Sequence, residues 1–164
     1  MTLKKIFGLK TGNQMQVDRK TSVKILAKDE NKYLMLATNR GDLEFPGGKI
    51  EDGEKRECAV KRELLEETGY EVTGTLKYLG QIVSRRKDRF EAHKIYETLM
   101  YFYRCNVKYK TNDLALSARE KKFNPVPIIL EKEVIIELNK KYASKNPREN
   151  VIGEITEFVL SNED

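Results

Sequence analysis

Cysteine and histidine are scarce in this 164-residue chain: Cys58, Cys105 and His93 are all it has. The two cysteines lie far apart, with no CxxC and no Cys/His cluster. That excludes a thiolate metal site and a disulfide framework, and fits reduced thiols in a cytoplasmic protein. No apolar run is long enough to span a membrane. The opening MTLKKIFGLKTGNQ lacks the continuous apolar segment of a secretory signal, so a cytoplasmic location is expected. GLKTG lacks the lysine-hydroxyl ending of a phosphate-binding P-loop, and no GxGxxG follows a strand-like segment, so other nucleotide folds gain no support. Repeats, linkers and low-complexity tracts are missing too, which leaves residues 1–164 as one expected domain.

What is present belongs to a globular chain. Hydrophobic residues make up 39% and charged residues 35%, too apolar for disorder and enough to bury a core without disulfides. The net charge of +5 would suit a polyanion. Lys and Arg are scattered among Asp and Glu, however, so nucleic acid is compatible but not favoured.

Thr21 to Asp29 and Tyr33 to Arg40 are β-rich runs around Glu30-Asn31-Lys32 and predict a hairpin. LEFPGG predicts a short strand ending at proline and two glycines. Lys55 to Thr68 holds no Gly or Pro and is closed by Gly69, which predicts a helix with a C-terminal glycine cap. TGTLKYLGQIVSRR and IYETLMYFYRCNVK follow as two long strands joined by the charged KDRFEAHK. PVPIIL predicts another short strand. In Glu131 to Ser144, Val134, Ile135, Leu138 and Tyr142 recur at helical spacing. A last helix is expected to start with Asn146 as N-cap and Pro147 at its first position, carrying Val151, Ile152, Ile155, Phe158 and Val159 on one face despite Gly153. Strands mixed with three helices predict an α/β domain with a helix-covered sheet.

The chemistry concentrates in GGKIEDGEKRECAVKRELLEETGY. Helix residues turn by about 100° each, so Glu67 falls about 40° to one side of Glu63 and Glu66 about 60° to the other. Three acids therefore share one narrow face, close to the carbonyl end of the helix dipole. Like charges at these spacings cost roughly 0.2–0.5 kcal/mol a pair, and the dipole roughly 0.3–1 kcal/mol per anion. Ala59 and Val60 on the same stripe turn that face toward the sheet. A solvated acidic face balanced by Lys55, Lys61 and Arg62 is one resolution; a cation among the carboxylates is the other. Oxygen ligands with no His or Cys nearby select Mg²⁺, Mn²⁺ or Ca²⁺ over zinc. Arg62 can reach Glu66 one turn on and orient it.

Gly48, Glu54, Arg62, Glu63, Leu64, Glu66, Glu67 and Gly69 together fit the pattern G-x5-E-x7-R-E-U-x-E-E-x-G-U, with U a bulky aliphatic residue. This is the Nudix box, and the chain resembles the Nudix hydrolase family. Tyr70 departs from the pattern at a packing position. The resemblance implies an α/β/α sandwich with a mixed central sheet, and a Mg²⁺-dependent pyrophosphohydrolase, Mn²⁺ being an alternative ion. The implied substrate is a nucleoside diphosphate linked to another moiety, such as a nucleoside triphosphate or nucleotide sugar. It implies metal ligation by Glu63, Glu66, Glu67 and the Gly48 carbonyl, with Glu54 and Arg62 orienting them. The general base is expected to be Glu67 or, from a later loop, Glu120. Arg85 and Arg86, with Lys87 and Arg89, form a basic run that could reach substrate phosphates. Hydrolysis of an RNA 5′ end and nucleotide sensing without turnover are the alternative activities, although sensing modules commonly lose box carboxylates and none is lost here. A homodimer is compatible with the resemblance. His93 is expected to be incidental, and Tyr96, Tyr101, Phe102 and Tyr103 to belong largely to the core.

Overall fold

A computed structural model describes residues 2–10, 15–88, 90–91, 93–146 and 150–163. Its strands are β1 (Leu3–Gly8), β2 (Gln16–Asp29), β3 (Lys32–Ala37), β4 (Leu43–Glu44), β5 (Tyr70–Lys87), β6 (Lys94–Tyr109) and β7 (Val126–Leu130). Its helices are α1 (Arg56–Thr68), α2 (Ala118–Lys121), α3 (Lys132–Lys145) and α4 (Asn150–Ser161). The strands form one sheet in the order β1-β5-β6-β2-β3-β4, with β7 also paired to β3. β1 with β5 and β2 with β6 run parallel, and the other pairs antiparallel, so the sheet is mixed.

Strand alternation produces the layers. Val23, Ile25 and Ala27 of β2 pack with Ala59, Val60 and Leu64 of α1. Leu26, with Met35 and Phe102, packs on the opposite face against Ile135 of α3 and Ile155, Val159 and Leu160 of α4. Helices therefore cover both faces, the α/β/α sandwich that the family resemblance implies. Among the described residues no helix is long and apolar enough to cross a membrane.

The expected hairpin is present, with Asp29 opposite Lys32 and Glu30 at a positive φ of 53° in the turn. The two long strands and the short strand before α3 are present as well. Four features differ from the sequence reading. The N-terminal segment, left without an element, is the edge strand β1. A fourth helix, the single turn α2, lies between β6 and β7. Val134 and Leu138 are partly exposed, and α3 instead buries Ile135, Asn139 and Tyr142. Asn146 is the C-cap of α3, not the N-cap of α4: its N–H bonds back to Ala143 and Tyr142. Pro147 and Arg89 lie outside the described residues.

Asn139 explains the departure in α3. Its side chain accepts from the Leu43 amide at 2.8 Å and donates to the Leu43 carbonyl at 2.9 Å and the Thr156 hydroxyl at 3.1 Å. One buried amide thus ties α3, α4 and β4 together with its polar capacity met. Gly153 faces the same seam, with Asn139 and Ala143 of α3 the nearest groups to it.

Candidate functional site

The C-terminal half of α1 carries the site. Its last turn closes on Gly69, in the left-handed conformation at φ 74°, whose N–H reaches the Leu65 carbonyl at 2.9 Å. A Cβ at Gly69 would also lie 2.0 Å from the Thr111 carbonyl oxygen, because the chain leaving β6 folds back over this helix end. Lys110 and Thr111 donate to the Gly69 carbonyl, and Ala115 donates to that of Glu66. The unpaired carbonyls of α1 therefore steer residues 110–117 across the site. Ser117 then caps α2: its hydroxyl accepts from the Glu120 amide, and the Glu120 carboxylate accepts from the Ser117 amide at 2.7 Å. This capping box holds Glu120 above α1.

Glu63, Glu67 and Glu120 consequently bring one carboxylate oxygen each to within 4.8 Å of one another. Glu63 and Glu67 are each 6% exposed. The Glu63 carboxylate lies against the Gly48 backbone, where a Cβ would come within 2.6 Å of its oxygens. Glu67 accepts from the Gly47 amide at 2.7 Å. The Gly48 carbonyl accepts from Val23 at 3.0 Å, which uses one of its two lone pairs.

Arg62 organises the acids from the side. Its guanidinium forks onto Glu54 at 2.8 and 2.9 Å, reaches Glu63 at 2.8 Å and Glu66 at 3.3 Å, and donates to the Lys49 carbonyl at 3.1 Å. The Arg62 bond, reinforced by the Glu51 amide, pulls the Glu54 carboxyl down to about 2. Burial pushes Glu67 up to about 7; Lys24 and the Gly47 amide oppose this, while Glu63 and Glu120 add to it. Burial raises Glu63 as well, against Arg62.

Most of the sequence-level site residues therefore meet here. Glu66 points to Arg62 and stands outside the three-carboxylate group. Arg85 and Arg86 sit at the end of β5. Arg85 is held by Glu97 at 2.7 Å, and Arg86 lies 5.7 Å from the Tyr96 ring. His93 is exposed, and Phe102 and Tyr103 are buried. The Gly47 amide and Lys24 were not anticipated: a backbone N–H leaves no mark in a sequence, and a lysine within a strand looks like a solvated face.

The NUDIX domain sequence model matches residues 18–126, and the chain belongs to this family. YtkD of Bacillus subtilis (strain 168), provisionally an 8-oxo-dGTP diphosphatase, is 38% identical over 79 residues, or 48% of this chain and 49% of that protein. The 8-oxo-dGTP diphosphatase of Escherichia coli (strain K12) is 46% identical over 50 residues, or 27% of this chain and 39% of that one. The chain thus spans half or less of the length of these curated relatives. The solved mutator MutT protein from Bacillus halodurans superposes with a TM-score of 0.63 at 23% identity, covering 88% of this chain and 84% of that one. That likeness concerns the fold.

Proposed function

We propose that the protein is a divalent-metal-dependent pyrophosphohydrolase acting on a nucleoside triphosphate or related small nucleotide. The observation that carries this reading is the convergence of Glu63, Glu67 and Glu120 in a largely buried position, with Arg62 already engaged by Glu54 and Glu63. Three carboxylates faced by Lys24 and by an Arg62 that is shared with Glu54 keep an excess of negative charge, a donor set that a hard dication fits, Mg²⁺ or Mn²⁺ before zinc because every donor is oxygen. Glu63, Glu67 and Glu120 would hold it, with Glu66 and the Gly48 carbonyl at the margin of the site. The chemistry such an ion supplies when bound is neutralisation of the diphosphate charge and acidification of water.

The chain's own groups do the remaining work. Arg62 fixes Glu63 and Glu54, so the site is organised before substrate arrives. Gly47 directs one Glu67 oxygen, leaving the other to take a proton from the attacking water. Water oxygen bonds to one phosphorus of the α–β bridge, the bond from that phosphorus to the bridging oxygen breaks, and the bridging oxygen keeps the bond's electron pair, so that a triphosphate yields nucleoside monophosphate and pyrophosphate. Glu67 is the first candidate for that proton because the Gly47 amide orients its carboxylate; Glu120 is the second candidate. The names of the two curated relatives favour a nucleoside triphosphate as substrate. Arg85 is spent on Glu97, which gives an RNA 5′ end no added support.

The test is release of a nucleoside monophosphate from a panel of triphosphates, oxidised guanine nucleotides, nucleotide sugars and dinucleotides with Mg²⁺. No turnover across the panel, with no metal-induced rise in melting temperature, refutes the proposal.

A further inference from the structure

The three clustered acids do not stand on equal footing. Glu63 and Glu67 belong to α1, which is packed into the core through Ala59, Val60 and Leu64. Glu120 belongs to α2, a single turn that buries no residue. Apolar packing therefore cannot fix it in place. Its carboxylate oxygen lies within 4.8 Å of one oxygen from each of the other two acids, and like charges at that range push it outward until a cation arrives. The capping box orients Glu120 on its own turn; it does not tie that turn to the rest of the protein.

Upstream, the tie is the Ala115 amide on the Glu66 carbonyl. Downstream, it is the loop after β3. The Asn39 backbone amide donates to the Phe123 carbonyl at 2.9 Å, just beyond the Ala37–Val126 pair at the end of the β3–β7 ladder. Its side-chain amide donates to the Lys122 carbonyl, also at 2.9 Å. Lys122 is the C-cap of α2, and the Phe123 amide turns back to the Glu120 carbonyl at 2.9 Å. Two consecutive carbonyls where α2 ends thus meet a single residue. Arg40 adds to the clamp: its guanidinium lies 4.6 Å from the centre of the Phe123 ring, while Asp42 accepts from it at 2.8 Å. Asn39 is itself exposed, so its side chain serves this contact and not the core.

We propose that Asn39 is a positioning residue for Glu120: its paired hydrogen bonds to the end of α2 hold that carboxylate against the α1 acids and so raise the affinity of the site for a divalent ion. The inference rests on the metal-dependent reading above and deepens it with a residue outside the box motif.

Calorimetric Mn²⁺ binding without substrate tests it on wild type, Asn39→Ala, Glu120→Ala and the double variant. Asn39→Ala deletes the side-chain bond and keeps the backbone one; it should weaken Mn²⁺ binding about fivefold, the scale of one neutral hydrogen bond. In the Glu120→Ala background no carboxylate is left to position, and the same change should alter affinity less than about twofold. Equal loss in both backgrounds would make Asn39 a general support of its loop and overturn the proposal; so would an unchanged affinity in Asn39→Ala. Neither result touches the pyrophosphohydrolase reading, which stands on metal binding and turnover by wild type. A wild type that binds no Mn²⁺ overturns both. Coupling between two sites is reciprocal, so Mg²⁺ should also slow hydrogen exchange of the Asn39 backbone amide in wild type. Should Asn39→Ala not fold, that measurement decides: exchange unchanged by Mg²⁺ overturns the proposal.

Discussion

Replacing Glu67 with glutamine should stabilise the metal-free protein, and by an amount that depends on pH. The native carboxyl titrates at about 7 against an ordinary 4.5. A carboxyl raised on folding contributes stability that is complete below the unfolded value and is lost as pH rises through the folded one. At about 1.4 kcal/mol per pH unit, the interval from 4.5 to about 7 is worth roughly 3 kcal/mol. Glutamine keeps the acceptor for the Gly47 amide but never ionises, so it escapes that loss. In EDTA, the variant should match wild type near pH 4.5 and exceed it by roughly 3 kcal/mol at pH 8. For a chain of this size that is roughly 6–12 °C in melting temperature. Carboxylates remote from the site titrate in both proteins and cancel in the difference, whereas Glu63 and Glu120, which repel an ionised Glu67, add to the gap. Urea titrations at four pH values measure it. Added Mg²⁺ should then reverse the ranking at pH 8, because a ligand stabilises only the state it binds. A stability gap that stays flat from pH 5 to pH 8, or that shrinks as pH rises, would show that Glu67 is not ionised against its surroundings.

Glu120→Gln preserves the capping box, since the amide oxygen still accepts from Ser117; turnover should fall by about a hundredfold or more if Glu120 assists the chemistry, with little change in melting temperature. Gly48→Ala places a Cβ 2.6 Å from the Glu63 oxygens; the protein should fold, yet the Mg²⁺-induced rise in melting temperature should disappear as Glu63 is displaced. Gly153→Ala brings the new Cβ to 3.5 Å from the Asn139 carbonyl oxygen and 3.7 Å from the Ala143 Cβ. These are ordinary contacts, so the better helix former should add about 0.5–1 kcal/mol, read by urea denaturation.

The parts of this molecule that were legible in the sequence share one property: their determinants are local. α1 could be bounded because Gly69 ends it a few residues after the acids it carries, and the β2–β3 hairpin because its turn is contiguous. β1 could not be found, since its partner β5 lies more than seventy residues on and pairs in parallel. Of the site, Glu63, Glu66, Glu67 and Arg62 share one helix and could be read from spacing, while Gly48 and Glu54 entered through the family resemblance. Glu120 could be suggested only by family resemblance, because its arrival depends on residues 110–117 following the carbonyl end of α1. Lys24 and Asn139 were missed for a deeper reason. Binary patterning treats a polar side chain as solvent-facing, yet both lie where polar groups are matched to backbone carbonyls and amides that no sequence displays. Asn139 holds β4 at Leu43, and Lys24 holds the next residues at Phe45 and Gly47. The segment leading into Gly48 is therefore clamped from the side of the sheet opposite α1. The carboxylates sit where they do partly because two residues with no place in the box motif fix the backbone they lean on.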